Sequence, residues 1–458
     1  MKHVTRIAFA LLMATCTAPV FSQKTFVLCS PDEKFQSEIK ISTTDIKYNI
    51  KHDGDLILDF SRIHMSLDKG RAFGINPKLS GTKTKTVDRI LNADIYKKKE
   101  VRDNFNELTL KFKGNYRIVF RAYNEGIAYR FESDIKGDII VENELSEFNF
   151  LHDAKAYIPY VRDNVATLES QFGNPFENIY KYENISQWDT SRIAFLPLLV
   201  EGRNGKKLCI LEADLLNYPG MYLYNGDGSN TLKSVFAPYP KEVEQGGYLN
   251  LQGLVKSREP YIAKVSGVTS FPWRIMVVSE NDKELADNDM VFKLATRPQG
   301  DFSWVKPGKA AWEWWHAWNL LGVDFKTGIN NETYKCYIDF ASRYGVEYIL
   351  LDDGWSPKNE ADLFKVVPEL DLPELVRYGK ERNVGLILWA GYYPFDRDME
   401  SVCKYYSEMG IKGFKVDYME RDDQLMVDFH HRAAEVAAKY KLLLDLHGTY
   451  KPTGLQCT

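Results

Sequence analysis

The stretch IKGFKVDYMERDDQ, residues 411–424, joins a short apolar run to a cluster of charged residues. The apolar positions predict a buried strand that ends at Asp417, with Lys415 two positions earlier. A helix is predicted directly afterwards, because residues 422–440 carry apolar side chains three and four positions apart. A buried strand that ends in polar residues and leads into a helix is typical of a parallel β/α unit.

The same alternation runs through the whole C-terminal part of the chain. The predicted strands are 309–318, 346–355, 384–393, 411–419 and 441–450, and the predicted helices are 331–345, 371–383, 395–410 and 422–440. A doubly wound sheet and a (β/α)₈ barrel both fit this order. We favour the barrel, because functional-looking residues follow every strand and barrels build their sites from those ends.

The preceding part of the chain predicts a different class of domain. Residues 23–295 contain short alternating strands separated by Gly, Asn and Asp turns, which predicts a large β-sandwich. Residues 296–309 hold two Pro and two Gly and predict a linker. Residues 310–458 then form the barrel domain.

Only five barrel strands are predicted where a (β/α)₈ barrel has eight, and such a domain takes about 250 residues. The expectation from sequence is therefore an incomplete barrel, with the chain stopping inside its second domain. Half a barrel would expose two edge strands and an uncovered apolar core. We expect the sandwich of this chain to fold and its residues 310–458 to be unstable or prone to aggregate.

The N-terminus predicts export. Residues 1–22 combine basic residues, an apolar run too short to cross a bilayer, and small residues before Gln23, as in a signal peptide. Cys16 offers a lipoprotein alternative, which Thr15 disfavours. The expected location is periplasmic or secreted, with no transmembrane segment in the mature protein.

Composition excludes several function classes. The net charge is −4 and no block of like charge stands out, which argues against nucleic acid and an anionic membrane surface. After loss of the leader, five scattered cysteines remain without a C-x-x-C pair. This number and spacing argue against a disulfide scaffold and against a zinc site.

Polar and aromatic residues follow the predicted strands. They would meet at one end of the predicted barrel, which we call its mouth. The candidate site residues are Trp312, Trp314, Asp352, Asp353, Lys415, Asp417 and His447. Carboxylates accept hydrogen bonds from sugar hydroxyls, a lysine donates them, and a carboxylate can attack an anomeric carbon. The pattern therefore favours a neutral polyol ligand.

Each of these residues also has a structural interpretation. Asp422 and Asp423 are interpreted as helix N-caps, and Asp352 and Asp353 could form a turn. The two tryptophans could belong to the hydrophobic core or to the wall of the site without contacting a ligand. His447 could contact a ligand or be a core histidine. The orientation of Glu313 is left open.

The chain resembles glycoside hydrolase family 97, in its retaining α-galactosidase branch. The motifs that carry the resemblance are AAWEWWHAW (310–318), ILLDDGW (349–355), GFKVDYMERDDQ (413–424) and LLLDLHGTYKPTGLQ (442–456). The resemblance implies that Asp417 is the nucleophile and that Lys415, Asp352 and Asp353 hold the sugar. It also implies Ca²⁺ beside the catalytic centre, with Glu212 as a ligand.

The resemblance places the acid/base glutamate on a strand after the fifth, so we expect it beyond Thr458 and expect this chain to be inactive alone. The implied substrate is an oligosaccharide or another α-galactoside. Two alternatives stay open: an α-glucosidase of the same family, and a carbohydrate-binding protein or fragment without turnover.

Overall fold

A computed structural model describes residues 23–93, 95–162, 167–297 and 300–455. The predicted signal peptide, with Cys16, lies outside these ranges. Among the helices of the described part, none is both long enough and apolar enough to cross a membrane.

The secondary structure has a long β-rich part followed by alternating strands and helices. The strands are β1 (Lys24–Cys29), β2 (Phe35–Ile41), β3 (Ile46–His52), β4 (Asp55–Leu67), β5 (Ala72–Phe73), β6 (Leu79–Asn92), β7 (Glu100–Phe112), β8 (Tyr116–Tyr123), β9 (Gly126–Asn149), β10 (Lys155–Ile158), β11 (Lys181–Asn184), β12 (Leu198–Glu201), β13 (Lys207–Ala213), β14 (Met221–Tyr224), β15 (Thr231–Phe236), β16 (Pro240–Gly246), β17 (Gln252–Arg258), β18 (Ala263–Ser270), β19 (Trp273–Ser279), β20 (Ala310–Trp312), β21 (Tyr348–Leu351), β22 (Gly385–Gly391), β23 (Gly413–Asp417) and β24 (Leu443–Leu446). The α-helices are α1 (Asp282–Ala286), α2 (Met290–Leu294), α3 (Asn331–Tyr344), α4 (Leu372–Glu381), α5 (Tyr392–Met409) and α6 (Gln424–Lys439). Short 3₁₀ turns cover Asp68–Gly70, Glu169–Phe172, Ile185–Gln187, Arg203–Gly205, Tyr248–Asn250 and Trp314–His316.

The β-rich part is antiparallel and layered. Buried and partly exposed residues alternate strictly along β2, which places one face of the strand in a core. Across that core, Tyr48 of β3 lies 5.3 Å from the Tyr129 ring of β9 and 6.0 Å from the Phe120 ring of β8. The layer formed by β2–β4 therefore packs on the layer that contains β8 and β9.

The second layer is covered on its other face as well. Trp273 and Ile275 of β19 share a core cluster with Met290 and Leu294 of α2. Met276, which points the opposite way, belongs to the large core between the two layers. Both faces of this layer are thus withdrawn from water, which explains why all of β19 is buried.

The C-terminal part is a parallel sheet in the order β20-β21-β22-β23-β24, with helices between successive strands. The helix boundaries agree with the local sequence signals. Asn330, Asp371 and Asp423 cap α3, α4 and α6 by accepting a hydrogen bond from the backbone N–H three residues later. Gly345 and Gly410 end α3 and α5 in the left-handed conformation.

All five predicted strands are longer than the observed ones, and two of the wrong boundaries have a clear physical reason. The predicted strand 309–318 is extended only over Ala310–Trp312, because the chain turns at the buried Glu313 and enters a 3₁₀ turn. Ala317 and Trp318 then have positive φ values of 51° and 56°. In addition, α5 begins at Tyr392 and not at 395, since Pro394 in its first turn needs no helical hydrogen-bond partner.

The segment after β23 joins the two parts. Asp423 caps α6 as predicted, but Asp422 does not. Asp422 is fully buried against the β domain, where its Oδ1 accepts a hydrogen bond from Tyr222 (2.8 Å) and its backbone oxygen accepts one from Gly220 N (2.9 Å). Gln424 is bound to both backbone groups of Lys264. The charged run 420–424 is therefore mainly an interface between domains.

Candidate active site

Asp352 and Lys415 form the buried centre of the candidate site. Lys415 lies on β23, and its Nζ donates a 2.8 Å hydrogen bond to Oδ2 of Asp352, which follows β21. Lys415 is 2% exposed and Asp352 4% exposed. Asp417, two residues after Lys415, faces the same side because side chains alternate along a strand, and its Oδ2 lies 3.8 Å from the lysine Nζ.

Trp312 forms one wall around this pair. Its indole Nε1 donates to Oδ2 of Asp352, and Lys415 Nζ lies 3.9 Å from the centre of its ring. This geometry allows a cation–π interaction in addition to the ion pair. Trp314 stacks on Trp312 with ring centres 5.6 Å apart and is 51% exposed. Of the two predicted tryptophans, Trp312 thus contacts the buried pair and Trp314 lies at the solvent-exposed edge of the site, its rim.

Asp417 lies between Trp389 and His447. Its Oδ2 accepts a 3.2 Å hydrogen bond from Trp389 Nε1 and lies 3.2 Å from His447 Nδ1. Burial raises the pKa of Asp417, but His447 and Lys415 more than offset this, so the pKa is below its ordinary value. The same contact raises the pKa of His447. Asp417 is therefore an ionised carboxylate at neutral pH.

Asp353 differs from its neighbour Asp352. Its backbone N–H donates to Oδ1 of Asp352 (2.8 Å), which fixes the orientation of that carboxylate. Burial raises the pKa of Asp353, and the charges of Asp352 and Asp417 raise it further, although Lys358 lowers it. The acid pair therefore combines a carboxylate bound to a cation, Asp352, with Asp353, whose pKa lies above its ordinary value.

The structure settles the orientation of Glu313, which points inward. Its Oε1 accepts hydrogen bonds from Asp352 N (2.8 Å), Tyr334 Oη (2.8 Å) and Trp318 Nε1 (3.2 Å). Its Oε2 is buried without a hydrogen-bond partner, and burial raises the pKa of the carboxyl. Glu313 thus connects the segment that contains the tryptophans to Asp352 through hydrogen bonds.

Glu212 does not fit a calcium ligand. It lies in the sealed interior between the domains, where its oxygens pair with Arg274 and Lys451 and one also accepts from Met221 N (3.0 Å). A divalent cation here would meet two positive side chains. Elsewhere in the described ranges, metal-ligating atoms gather in threes at His52, Asp53 and Glu280, at the ends of β3 and β19 in the β domain and not at the ends of the parallel strands.

The β domain supplies further residues to the mouth, and the sequence did not predict them. Glu177 Oε1 lies 3.9 Å from His447 Nε2, and Gln252 Nε2 donates to Glu420 Oε2 (2.9 Å). Tyr248 packs against Tyr418, with ring centres 5.4 Å apart. No local signal marks these residues, because they reach the mouth from loops that are distant in sequence.

Two family models match the chain. Residues 28–297 match the Glycosyl-hydrolase 97 N-terminal model, and residues 312–458 match the Glycoside hydrolase 97 model. Together they cover most of the sequence.

Curated relatives point the same way. The chain is 51% identical over 455 residues to a retaining α-galactosidase of Bacteroides thetaiotaomicron, covering 99% of this chain and 69% of the relative. It is 25% identical over 483 residues to a probable retaining α-galactosidase of Streptomyces bingchenggensis, covering 100% of this chain and 69% of that relative.

The fold also matches a solved structure. A family 97 enzyme from Pseudoalteromonas sp. strain K8, in complex with acarbose, superposes with a TM-score of 0.80 at 21% identity. The match covers 94% of this chain and 68% of that one. At this identity the similarity concerns the fold alone.

Proposed function

Because the chain belongs to glycoside hydrolase family 97, we propose that the complete protein is a retaining α-galactosidase that removes terminal α-galactosyl residues from oligosaccharides or other α-galactosides. The observation that carries the proposal is the ionised Asp417 beside the buried Asp352–Lys415 pair at the strand ends. The 51% identity to a retaining α-galactosidase supports the substrate class. The proposed architecture is a β-sandwich followed by a (β/α)₈ barrel, of which β20–β24 form the first five strands.

In the proposed mechanism, a carboxylate oxygen of Asp417 attacks the anomeric carbon while the bond from that carbon to the leaving oxygen breaks. The leaving oxygen takes a proton from a second carboxyl, and water then releases the sugar from Asp417 with retained configuration. We assign none of the described carboxyls to the acid/base role.

Neighbouring groups position the sugar and keep Asp417 reactive. Asp352 and Asp353 accept hydrogen bonds from sugar hydroxyls, and Lys415 donates one. His447 holds Asp417 in its ionised form before attack and keeps it in place. Trp312 and Trp314 contact the apolar face of the ring, where an indole can stack without losing hydrogen bonds.

The test compares sugar release and covalent trapping in the complete protein. We expect galactose from 4-nitrophenyl α-galactoside and little glucose from the matching α-glucoside. A fluorinated galactosyl reagent should label wild type at Asp417. Asp417→Asn should abolish labelling, whereas Asp339→Asn, an exposed acid on α3, should not. Glucose as the main product, or labelling of the Asp417→Asn protein, would contradict the proposal.

We also propose that the protein is exported and depends on calcium, through ligands other than Glu212. Fractionation and N-terminal sequencing should find a periplasmic or secreted protein that begins near Gln23. A chelator should lower the thermal unfolding temperature, and added Ca²⁺ should restore it. A chelator-treated protein with unchanged unfolding and activity would contradict the calcium part.

A further inference from the structure

A loop of the β domain reaches the mouth of the parallel sheet. It joins β16 to β17 and spans residues 247–251, and Gln252 is the first residue of β17. Gly247, Leu249 and Asn250 all have positive φ, at 70°, 51° and 60°. Left-handed backbone is costly for Leu249, and such strain persists only where the surroundings impose it.

Contacts with the C-terminal part hold this loop in place. Gln252 Nε2 donates to Glu420 Oε2 (2.9 Å), and the Leu251 oxygen accepts a hydrogen bond from Tyr393 N (2.9 Å). Leu251 packs with Trp389, whose indole donates to Asp417. The loop therefore rests directly against the side chain that holds the proposed nucleophile.

The loop also shares a cavity with the site. Leu249 and Leu251 line one small cavity together with Asp353 and Trp389. The loop is thus part of the wall around the acid pair and not only a strut between domains.

Tyr248 is the exposed aromatic residue of this loop. Its ring lies 5.4 Å from that of Tyr418, the residue after Asp417, and Tyr248 is 51% exposed. Tyr418 has a φ of 69° and packs edge-on against Trp389 at 6.1 Å. Tyr248 therefore presents part of its aromatic surface to solvent beside the residue that follows the proposed nucleophile.

The side chains that would contact the terminal sugar are more deeply buried than those that would contact the next sugar. The groups that bind hydroxyls of the terminal sugar, Asp352 and Lys415, are almost fully buried. A terminal sugar that reaches them leaves the next sugar at the rim, where the exposed aromatic groups include Trp315 and Tyr248.

We propose that Tyr248, a residue of the β domain, determines specificity by stacking on the sugar that leaves in the reaction. This inference rests on the proposed galactosidase function. A tyrosine suits a neutral sugar there, because its ring offers a flat apolar surface and few freely rotating bonds.

The test uses two substrates that differ only in the leaving group. One is a disaccharide with a terminal α-galactosyl residue, and the other is α-galactosyl fluoride, whose leaving group has no sugar. In the complete protein, Tyr248→Ala should lower the ratio of kcat/KM for the disaccharide to kcat/KM for the fluoride by about 10-fold, the usual scale for one lost apolar contact. Tyr248→Phe should keep the ratio of wild type.

Tyr344→Ala is the matched control. Tyr344 is an exposed tyrosine paired with Phe340 at 4.6 Å, and it ends α3 at the opposite edge of the sheet from the mouth. This variant should keep the ratio of wild type.

The other outcomes overturn the inference. A loss of equal size on both substrates would mean that Tyr248 only supports the fold near Asp417. An unchanged ratio with unchanged rates would mean that the leaving sugar does not touch it. If wild type releases no galactose from the fluoride, both this inference and the proposed function fail; turnover of the fluoride with an unchanged ratio rejects only this inference.

Discussion

The mouth of the parallel sheet and the interface between the domains contain the same kinds of residue. The mouth cluster consists of Asp352, Lys415 and Asp417, and the interface cluster consists of Glu144, Glu212, Arg274, Lys451 and Asp422. In both, buried carboxylates surround buried cations. They differ in access: the Asp417 side chain is 14% exposed and its partner His447 39%, whereas Glu212 and Arg274 are at most 1% exposed.

This difference in access decides which cluster can bind a ligand and which one serves only the fold. In the mouth cluster, a ligand hydroxyl can reach the carboxylates and replace water. In the interface cluster, the partners are fixed by the protein, so that any lost partner leaves an uncompensated charge. A buried acid near a cation is thus a functional signal only where a ligand can enter.

The strongest test of the sealed character of the interface cluster is Arg274→Met. Arg274 makes two 2.8 Å hydrogen bonds to Glu144 and pairs with Glu212, so its loss leaves Glu144 buried without its cation and Glu212 with Lys451 alone. We expect the free energy of unfolding of the complete protein to fall by about 3–5 kcal/mol, measured by urea denaturation.

Arg62→Met is the control, because Arg62 pairs with Glu147 from a half-exposed position. It should cost about 1 kcal/mol or less. Equal losses in the two variants would remove the distinction between the clusters.

Lys415→Met tests the open character of the mouth cluster. Asp352 keeps the Trp312 indole and the Asp353 N–H as donors, so the fold should lose less than in Arg274→Met. The sugar, however, loses a charged donor, and kcat/KM should fall by about 10²–10³-fold. Activity assays and urea denaturation on one preparation measure both. A large loss of stability with normal kcat/KM would reverse our assignment of this cluster.

Asp422→Asn tests whether the interface cluster makes the stability of the protein depend on pH. Burial raises the pKa of Asp422 from 3.8 to about 7, with Lys451 and Tyr222 lowering it and Glu212 and Asp423 raising it. At a pH between 3.8 and about 7, Asp422 is protonated in the folded protein but ionised in the unfolded chain. The free energy of unfolding contributed by this group therefore falls as the pH rises towards about 7.

The variant is neutral at every pH and should lack this fall. Its free energy of unfolding relative to wild type should rise by about 1–3 kcal/mol between about pH 5 and about pH 7. Asp282→Asn, at an exposed position, controls for the change in net charge. Parallel curves for wild type and Asp422→Asn would show that Asp422 does not titrate in this range.

The smallest expected effect is that of Glu313→Gln at the edge of the mouth cluster. The amide can still accept from Asp352 N, but its NH₂ group replaces the unpartnered Oε2 in a buried position. We expect a KM increase of about 3–10-fold with little change in kcat, since the acid pair shifts but the nucleophile remains. Glu332→Gln, exposed on α3, is the control, and a kcat loss above about 100-fold would instead indicate a direct role in the reaction.

Local sequence signals predicted much of the C-terminal part. Apolar runs located β21–β24, and Asp423 was predicted to cap a helix, because an N-cap needs only a short side chain and its own backbone. The strand ends located Asp352, Lys415 and Asp417, since side-chain direction follows from strand alternation. These properties depend on neighbours within a few residues.

The tertiary structure decided what those signals could not. Asp422 and Asp423 are adjacent and alike in sequence, yet one is buried against Tyr222 and the other caps α6. Glu212 is neutralised by Arg274 and Lys451, and Tyr248 reaches Tyr418 from a loop about 170 residues earlier. The sequence by itself determined periodicity, caps and strand ends, because these are local. Only packing between distant segments determined which acids are sealed and which face a ligand, because burial and charge pairing depend on partners far along the chain.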